Sequence, residues 1–189
     1  MNSFLVTAFN INLFQYRLFT LPKPVEVKVL LLGLDNAGKS TLLRAFQGET
    51  VTNLPPTKGF GFQKFKYENI TFCVWDLGGQ KSIRTLWENY YQQSDVIIYV
   101  IDSSDNYRLD ETGKELYTIL QQPELNGIPV LIYANKQDLN LSLSPDEIID
   151  SLNLSRITDR KWTIVACSAL TKMGITCGLN WLSKIVNQK

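Results

Sequence analysis

The 189-residue chain contains no histidine. That excludes Ser-His-Asp and Cys-His catalysis and every metal site built on imidazole. It has only three cysteines, Cys73, Cys167 and Cys177, and none stand in C-x-x-C spacing. Neither a disulfide framework nor a zinc site fits that pattern, and a reducing compartment is the natural setting. No apolar run approaches the roughly 18 residues of a membrane-spanning helix. There is little net charge: 19 Lys and Arg stand against 18 Asp and Glu. Such a balance gives no electrostatic case for a nucleic-acid binder. The remaining composition, 44% apolar and 20% charged, is that of an ordinary globular chain, and the length suits one domain.

What is present centres on residues 25–41. A β-rich apolar run, Val25 to Leu32, leads into Gly33-Leu34-Asp35-Asn36-Ala37-Gly38-Lys39-Ser40-Thr41. This is the G-x-x-x-x-G-K-[ST] phosphate loop. Its glycines let successive N–H groups turn inward on an anion, and the following helix adds the positive end of its dipole. Lys39 is placed to reach the outer phosphates, and the Ser40 hydroxyl to bind Mg²⁺. A strand before the loop and a helical pattern after it (Leu42, Leu43, Ala45, Phe46) supply the context the motif needs.

Residues 1–24 read as an appendage, rich in Phe and Leu but broken by Asn10, Asn12, Gln15 and Arg17, and closed by Pro22 and Pro24. Wound as a helix they form a broad, imperfect amphipathic pattern. Residues 25–189 read as the domain. Strands are expected at 25–33, 60–67, 70–76, 95–102, 128–134 and 162–168. Helices are expected at 38–47, from Gln80 to Tyr91, at 108–122, from Pro145, and at about 174–187. Ser144-Pro145-Asp146-Glu147 is a complete helix start, with cap, proline and capping-box glutamate in order. Strands alternating with helices predict an α/β, doubly wound, mostly parallel sheet. Ligand loops then collect at the carboxyl ends of its strands.

A phosphate loop alone leaves ATPase, GTPase and small kinase open. Asp76 ends an apolar strand and precedes Gly78-Gly79, a place from which a carboxylate can hold Mg²⁺ through water. Gly79 lets a backbone N–H come close to a γ-phosphate. Gln80 can orient a water for in-line attack. Thr57 lies in the loop before the hairpin, and its residues alone leave it equally a Mg²⁺ ligand or an ordinary loop threonine. Asn135-Lys136-Gln137-Asp138 is the base-reading feature. An ionised Asp138 accepts from both N1–H and the exocyclic amine of guanine, whereas adenine leaves it unmatched. The Lys136 stem can lie over the purine, and Asn135 can brace neighbouring loops. Cys167-Ser168-Ala169 ends the last strand, where the Ala169 N–H can meet guanine O6.

With these motifs the sequence resembles the Ras-like small GTPases, and more closely the Arf-like group. The resemblance rests on Gly33–Ser40, Pro56-Thr57-Lys58-Gly59-Phe60, Trp75–Gln80, Asn135–Asp138 and Cys167–Leu170. Glu111–Leu116, Leu152-Asn153-Leu154 and Gly178-Leu179-Asn180-Trp181 make it most similar to the third Arf-like branch. The resemblance implies a P-loop GTPase fold with a six-stranded, mostly parallel sheet and helices on both faces. It implies GTP or GDP and Mg²⁺ as bound groups. Asp35, Asn36, Ala37, Gly38, Lys39, Ser40, Thr41, Thr57, Gly79, Asn135, Lys136, Asp138, Ser168 and Ala169 would bind nucleotide. Ser40, Thr57 and Asp76 would hold the metal, and Gln80 would be the catalytic residue. The implied output is a slow GTPase switch whose GTP form recruits effectors, including carriers of lipidated cargo. An exchange factor and an activating protein would set its state. A monomer in the cytoplasm, with ciliary, peripheral-membrane or microtubule association, completes that expectation. A GTP-binding scaffold without productive hydrolysis is the alternative. Phe60, Trp75 and Tyr90 match the aromatic triad such proteins offer to effectors, and hairpin core is the competing role for any of them. The family's N-terminal helix docks with GDP and is freed with GTP, and residues 1–24 would do so through Leu5 and Phe9. Departures include Asn2, which blocks myristoylation, Gly61 where asparagine is usual, Lys58 and Thr85.

Overall fold

The computed structural model describes residues 25–50, 57, 59–92 and 94–188. The expected 1–24 appendage, Pro56 and Lys58 lie outside the described residues. Six strands form one sheet: β1 (Val25–Leu32), β2 (Phe60–Tyr67), β3 (Ile70–Leu77), β4 (Val96–Asp102), β5 (Val130–Asn135) and β6 (Trp162–Ala166). Their spatial order is β2-β3-β1-β4-β5-β6. All neighbours run parallel except β2, which pairs antiparallel with β3 through the Glu68-Asn69 turn. The helices are α1 (Lys39–Phe46), α2 (Leu109–Leu120), α3 (Pro145–Leu152) and α4 (Ile175–Val186).

The alternation of side chains along each strand sorts the core into two layers. Val27, Val29 and Leu31 of β1, with Val96, Ile98 and Val100 of β4, pack with Leu42 and Leu43 of α1 and Leu179 and Leu182 of α4. Leu30 and Leu32, with Ile97, Tyr99 and Ile101, pack on the other face with Leu116 and Ile119 of α2 and Ile148 and Leu152 of α3. Both faces of the central strands are thus covered, which is why β1, β4 and β5 read as near-continuous apolar runs. The Ser144 cap and the reciprocal Glu147 bond are both formed at the start of α3.

The segment after Gln80 is helical, but of the tighter kind. A 3-10 helix spans Arg84–Tyr90. Its three-residue turn eclipses side chains at i and i+3. Arg84 and Trp87 therefore face the same way, toward the Gly78-Gly79 segment to which both donate. Gly61 stays within β2 opposite Asp76, so the departure from asparagine leaves the strand paired.

Leu31 has no exposed surface and sits at the centre of one core layer. Leu31→Ala is expected to lower the unfolding free energy by about 2–5 kcal/mol, the cost of transfer plus a residual cavity. Urea denaturation followed by circular dichroism measures it. A loss under ~1 kcal/mol would mean that the layers repack freely.

Candidate functional site

The carboxyl ends of β1, β3, β4, β5 and β6 open into one group of loops. Gly33 follows β1 at φ 138°, and a Cβ there would lie 2.2 Å from the Val100 carbonyl oxygen. Only glycine lets the loop leave the sheet so close to β4. The loop then turns through Asn36 (φ 61°) and Gly38 (φ 91°) into α1. No side chain caps the N-terminus of α1. Ala37 is buried, Asp35 and Thr41 are half-buried, and Asn36 is exposed.

Lys39 is buried, and its ammonium donates to the carbonyls of Gly33 (2.9 Å) and Leu34 (2.8 Å). Burial pushes its pKa down to about 8, against the attraction of Asp76 and Asp35. Those two carbonyls hold the cation across the loop, and a phosphate oxygen would supply the stabilisation of charge that burial has taken from water.

Three oxygens expected to serve a metal converge. The Ser40 hydroxyl lies 2.7 Å from the Thr57 hydroxyl and donates to Asp76 Oδ2 at 2.5 Å. Asp76 is buried, and its Oδ1 has no hydrogen-bond partner among the described residues. Burial pushes its carboxyl pKa up, opposed by the Ser40 bond, the Lys39 charge and the Thr57 bond. A buried carboxylate oxygen without a donor is costly. Two hydroxyls and a carboxylate form an all-oxygen set suited to a hard divalent cation. The residues present therefore fit Mg²⁺.

Gly79 packs against the phosphate loop. A Cβ on it would lie 2.3 Å from both the Asp35 nitrogen and the Leu34 carbonyl carbon. Gln80 is exposed, one residue further on. The Gly78 carbonyl accepts from the Trp87 indole (2.9 Å) and the Gly79 carbonyl from Arg84 Nε (2.9 Å).

On the other side, Asn135 is buried between two loops. Its Nδ2 donates to the Ala37 carbonyl (2.8 Å), and its Oδ1 accepts from the Ala169 N–H (2.9 Å). The Ala169 N–H expected to face guanine O6 is thus engaged with Asn135. The Ser168 hydroxyl accepts from the Thr171 N–H, while Asp138 is exposed. Lys136 sits at φ 68°, and its ammonium pairs with Asp102 at 2.6 Å. Phe60, Trp75 and Tyr90 form one aromatic group with centroids 5.0–6.0 Å apart. Phe60 is 58% exposed, whereas Trp75 and Tyr90 are half-buried and pack against the core layer under α2, so the group joins the surface to the core. Phe62, 4.7 Å from Trp75 and also exposed, extends it.

Several contributors escaped the motif reading: Asp102 under Lys136, Arg108 holding Asp35 (3.0 Å), and Arg84 with Glu111 and Glu115. The i, i+4 spacing of the two glutamates marks one helix face, but nothing local points to an arginine 27 residues away.

The model of the ADP-ribosylation factor family matches residues 15–186. The chain belongs to that family. ADP-ribosylation factor-like protein 3 of Chlamydomonas reinhardtii is 47% identical over 164 residues, 87% of this chain and 93% of that protein. The protein of the same name from Caenorhabditis elegans is 48% identical over 166 residues, 87% of this chain and 90% of that one. Among solved structures, the Arl6 BBS3 small GTPase of Trypanosoma brucei with bound nucleotide analogue GppNp superposes with a TM-score of 0.80 at 31% identity. The match covers 87% of this chain and 99% of that one. This ADP-ribosylation factor family member is accordingly a guanine-nucleotide-binding switch and a GTP hydrolase with the P-loop GTPase fold.

The close approach of Gly79 generates a prediction. Because the atoms facing a Cβ belong to backbone, Gly79→Ala is expected to lift the segment from the phosphate loop. Affinity for a non-hydrolysable GTP analogue should fall about tenfold or more, the loss of one oriented donor to a charged oxygen. Fluorescent-nucleotide titration measures it. Parent-like affinity would show that the approach serves packing alone.

Proposed function

We propose that the chain is a GTP-driven timer. In its Mg²⁺–GTP form it orders the Thr57 loop and the Gly79-Gln80 segment together and presents the Phe60, Trp75 and Tyr90 surface to an effector. The observation that carries this reading is the convergence of the Ser40, Thr57 and Asp76 oxygens around an unsatisfied carboxylate atom. A single cation held there would tie Thr57, before β2, to the end of β3. Ser40, Thr57 and Asp76 would hold Mg²⁺, which neutralises charge building between the outer phosphates. Hydrolysis removes the γ-phosphate and with it the reason for both segments to stay ordered.

Within this reading Lys39 and the phosphate-loop N–H groups bind phosphates. Gln80 orients the attacking water, and its exposed side chain is free to do so. Asp138 reads the guanine edge, with Lys136 laid along the purine by its pairing with Asp102. The effector is a carrier of lipidated cargo, and the setting is ciliary or peripheral-membrane trafficking. What supports that assignment is the similarity to the factor-like protein 3 sequences and the exposed aromatic surface. Activation would come from a separate protein, an added arginine being worth about 10³–10⁵ in rate.

Two substitutions test the chemistry. Gln80→Leu is expected to slow activator-stimulated hydrolysis by about 10²-fold or more while leaving GTP affinity within a few-fold, since its role lies in the transition state. Single-turnover phosphate release measures this, and equal rates for variant and parent would refute the role of Gln80. No hydrolysis by the parent under any activator would favour the scaffold. Asp138→Asn should weaken guanine binding about tenfold or more by leaving base donors poorly matched. Equilibrium competition of GDP and GTP against ATP reads it out. Unchanged GDP affinity would remove Asp138 from the base site.

A further inference from the structure

Arg84 is 8% exposed, an unusual depth for a guanidinium, and its donors are divided among three elements. Nε donates to the Gly79 carbonyl at 2.9 Å. Nη1 donates to Glu111 (2.7 Å) and Glu115 (2.8 Å) on α2. Nη2 lies 3.8 Å from Asp35 Oδ1 in the phosphate loop. One helical turn on, the buried Trp87 donates its indole N–H to the Gly78 carbonyl at 2.9 Å. Consecutive carbonyls of the Gly78-Gly79 pair are therefore both fixed by side chains of the same 3-10 helix.

In a trans peptide the carbonyl and the N–H lie in one plane and point in opposite directions. With the Gly78 oxygen held toward Trp87, the Gly79 N–H is held away from it. Two adjacent glycines would otherwise leave both peptide planes free to rotate. Anchoring them before a ligand arrives removes that entropy from the binding step.

We propose that Arg84 and Trp87 are positioning residues for the terminal phosphate of the nucleotide. Trp87 holds the Gly78–Gly79 plane that carries the Gly79 N–H, and Arg84, backed by Glu111 and Glu115, holds the Gly79–Gln80 plane next to it; fixed on both sides, Gly79 keeps its N–H preset for a third phosphate that a diphosphate lacks. The proposal rests on the reading of the chain as a guanine-nucleotide switch. The planar fork of arginine is required, because one side chain must meet a carbonyl with one nitrogen and two carboxylates with another. The two glutamates supply the counter-charge that makes so buried a guanidinium tolerable. They are themselves 38% and 28% exposed, so a protein docking on α2 would reach the latch from outside.

The experiment compares affinities for GDP and for a non-hydrolysable GTP analogue in the full chain with Mg²⁺. Variants are Arg84→Gln, Arg84→Lys, Trp87→Phe and the pair Glu111→Gln with Glu115→Gln. In each, affinity for the GTP analogue is expected to fall about tenfold relative to parent, with GDP affinity staying within about twofold. Lysine should not rescue, since it cannot span the three acceptors. Trp87→Phe keeps the apolar volume, and the glutamate pair leaves the buried arginine in place, so the set does not depend on one variant folding. Folding is checked by thermal melting. Equal weakening of both nucleotides would make Arg84 and Trp87 merely structural and overturn the proposal. So would parent-like preference in folded variants, or full rescue by lysine. A parent that binds GDP and the GTP analogue but shows variants of the first kind refutes the latch alone. A parent that binds neither refutes the switch reading beneath it.

Discussion

Val29, Leu30, Leu31 and Leu32 are withdrawn from water on both faces of β1, and β4 and β5, the next two strands, are in the same condition. Along such strands a polar atom is tolerated only when bonded, as are the buried Tyr99 and Tyr133 hydroxyls on the Thr112 and Ile175 carbonyls, so the ionisable chemistry is displaced to the strand ends. Parallel pairing then makes those ends coincide: β1, β3, β4, β5 and β6 deliver their loops to one edge. The phosphate loop, Asp76, Asp102, Asn135 and Cys167 all follow from that single constraint. Only β2 runs the other way, and its start at Phe60 is thereby brought beside Leu77, at the same edge.

Polar groups that do enter the interior are tied to one another. Lys39 rests on two carbonyls, Asn135 bridges Ala37 to Ala169, Asp102 holds Lys136, and Arg84 joins Gly79 to α2. Among the described residues two buried side-chain oxygens lack a partner, the Ser103 hydroxyl and Asp76 Oδ1, and only the second is a carboxylate oxygen beside two hydroxyls. Satisfied groups brace the loops, and the unsatisfied carboxylate marks where charge has still to be supplied. In a guanine-nucleotide switch, two arrangements are separated by what such ligands contribute.

Local signals were sufficient for much of this. The glycine and lysine spacing of residues 33–41, the Asn135–Asp138 run and the capping box at Ser144 each declare a short-range geometry, and each was readable without neighbours. Periodicity placed every strand among the described residues to within a residue or two. The segment after Gln80 was legible as helical but not as 3-10, because its tight turn is set by Gly78 and Gly79 accepting from Trp87 and Arg84. The aromatic group was read as three residues. Phe62 joined it only when β2 and β3 paired and placed it opposite Trp75.

By itself the sequence determined the fold class, the phosphate loop and the Asn135–Asp138 tetrapeptide, whose motifs are written in spacings of a few residues, the range over which backbone geometry is local. Ser40 and Asp76 were legible one at a time, Thr57 only through the family resemblance, and their convergence across 17 and 36 residues was not local. Only the tertiary structure decided that Arg84 meets Glu111 and Glu115, that Asp102 holds Lys136, that Asn135 takes the Ala169 N–H, and that Asp76 Oδ1 has no partner among the described residues. These depend on which strand ends lie side by side. That order, β2-β3-β1-β4-β5-β6, comes from burying two apolar layers at once, a property of the whole chain that no short stretch contains.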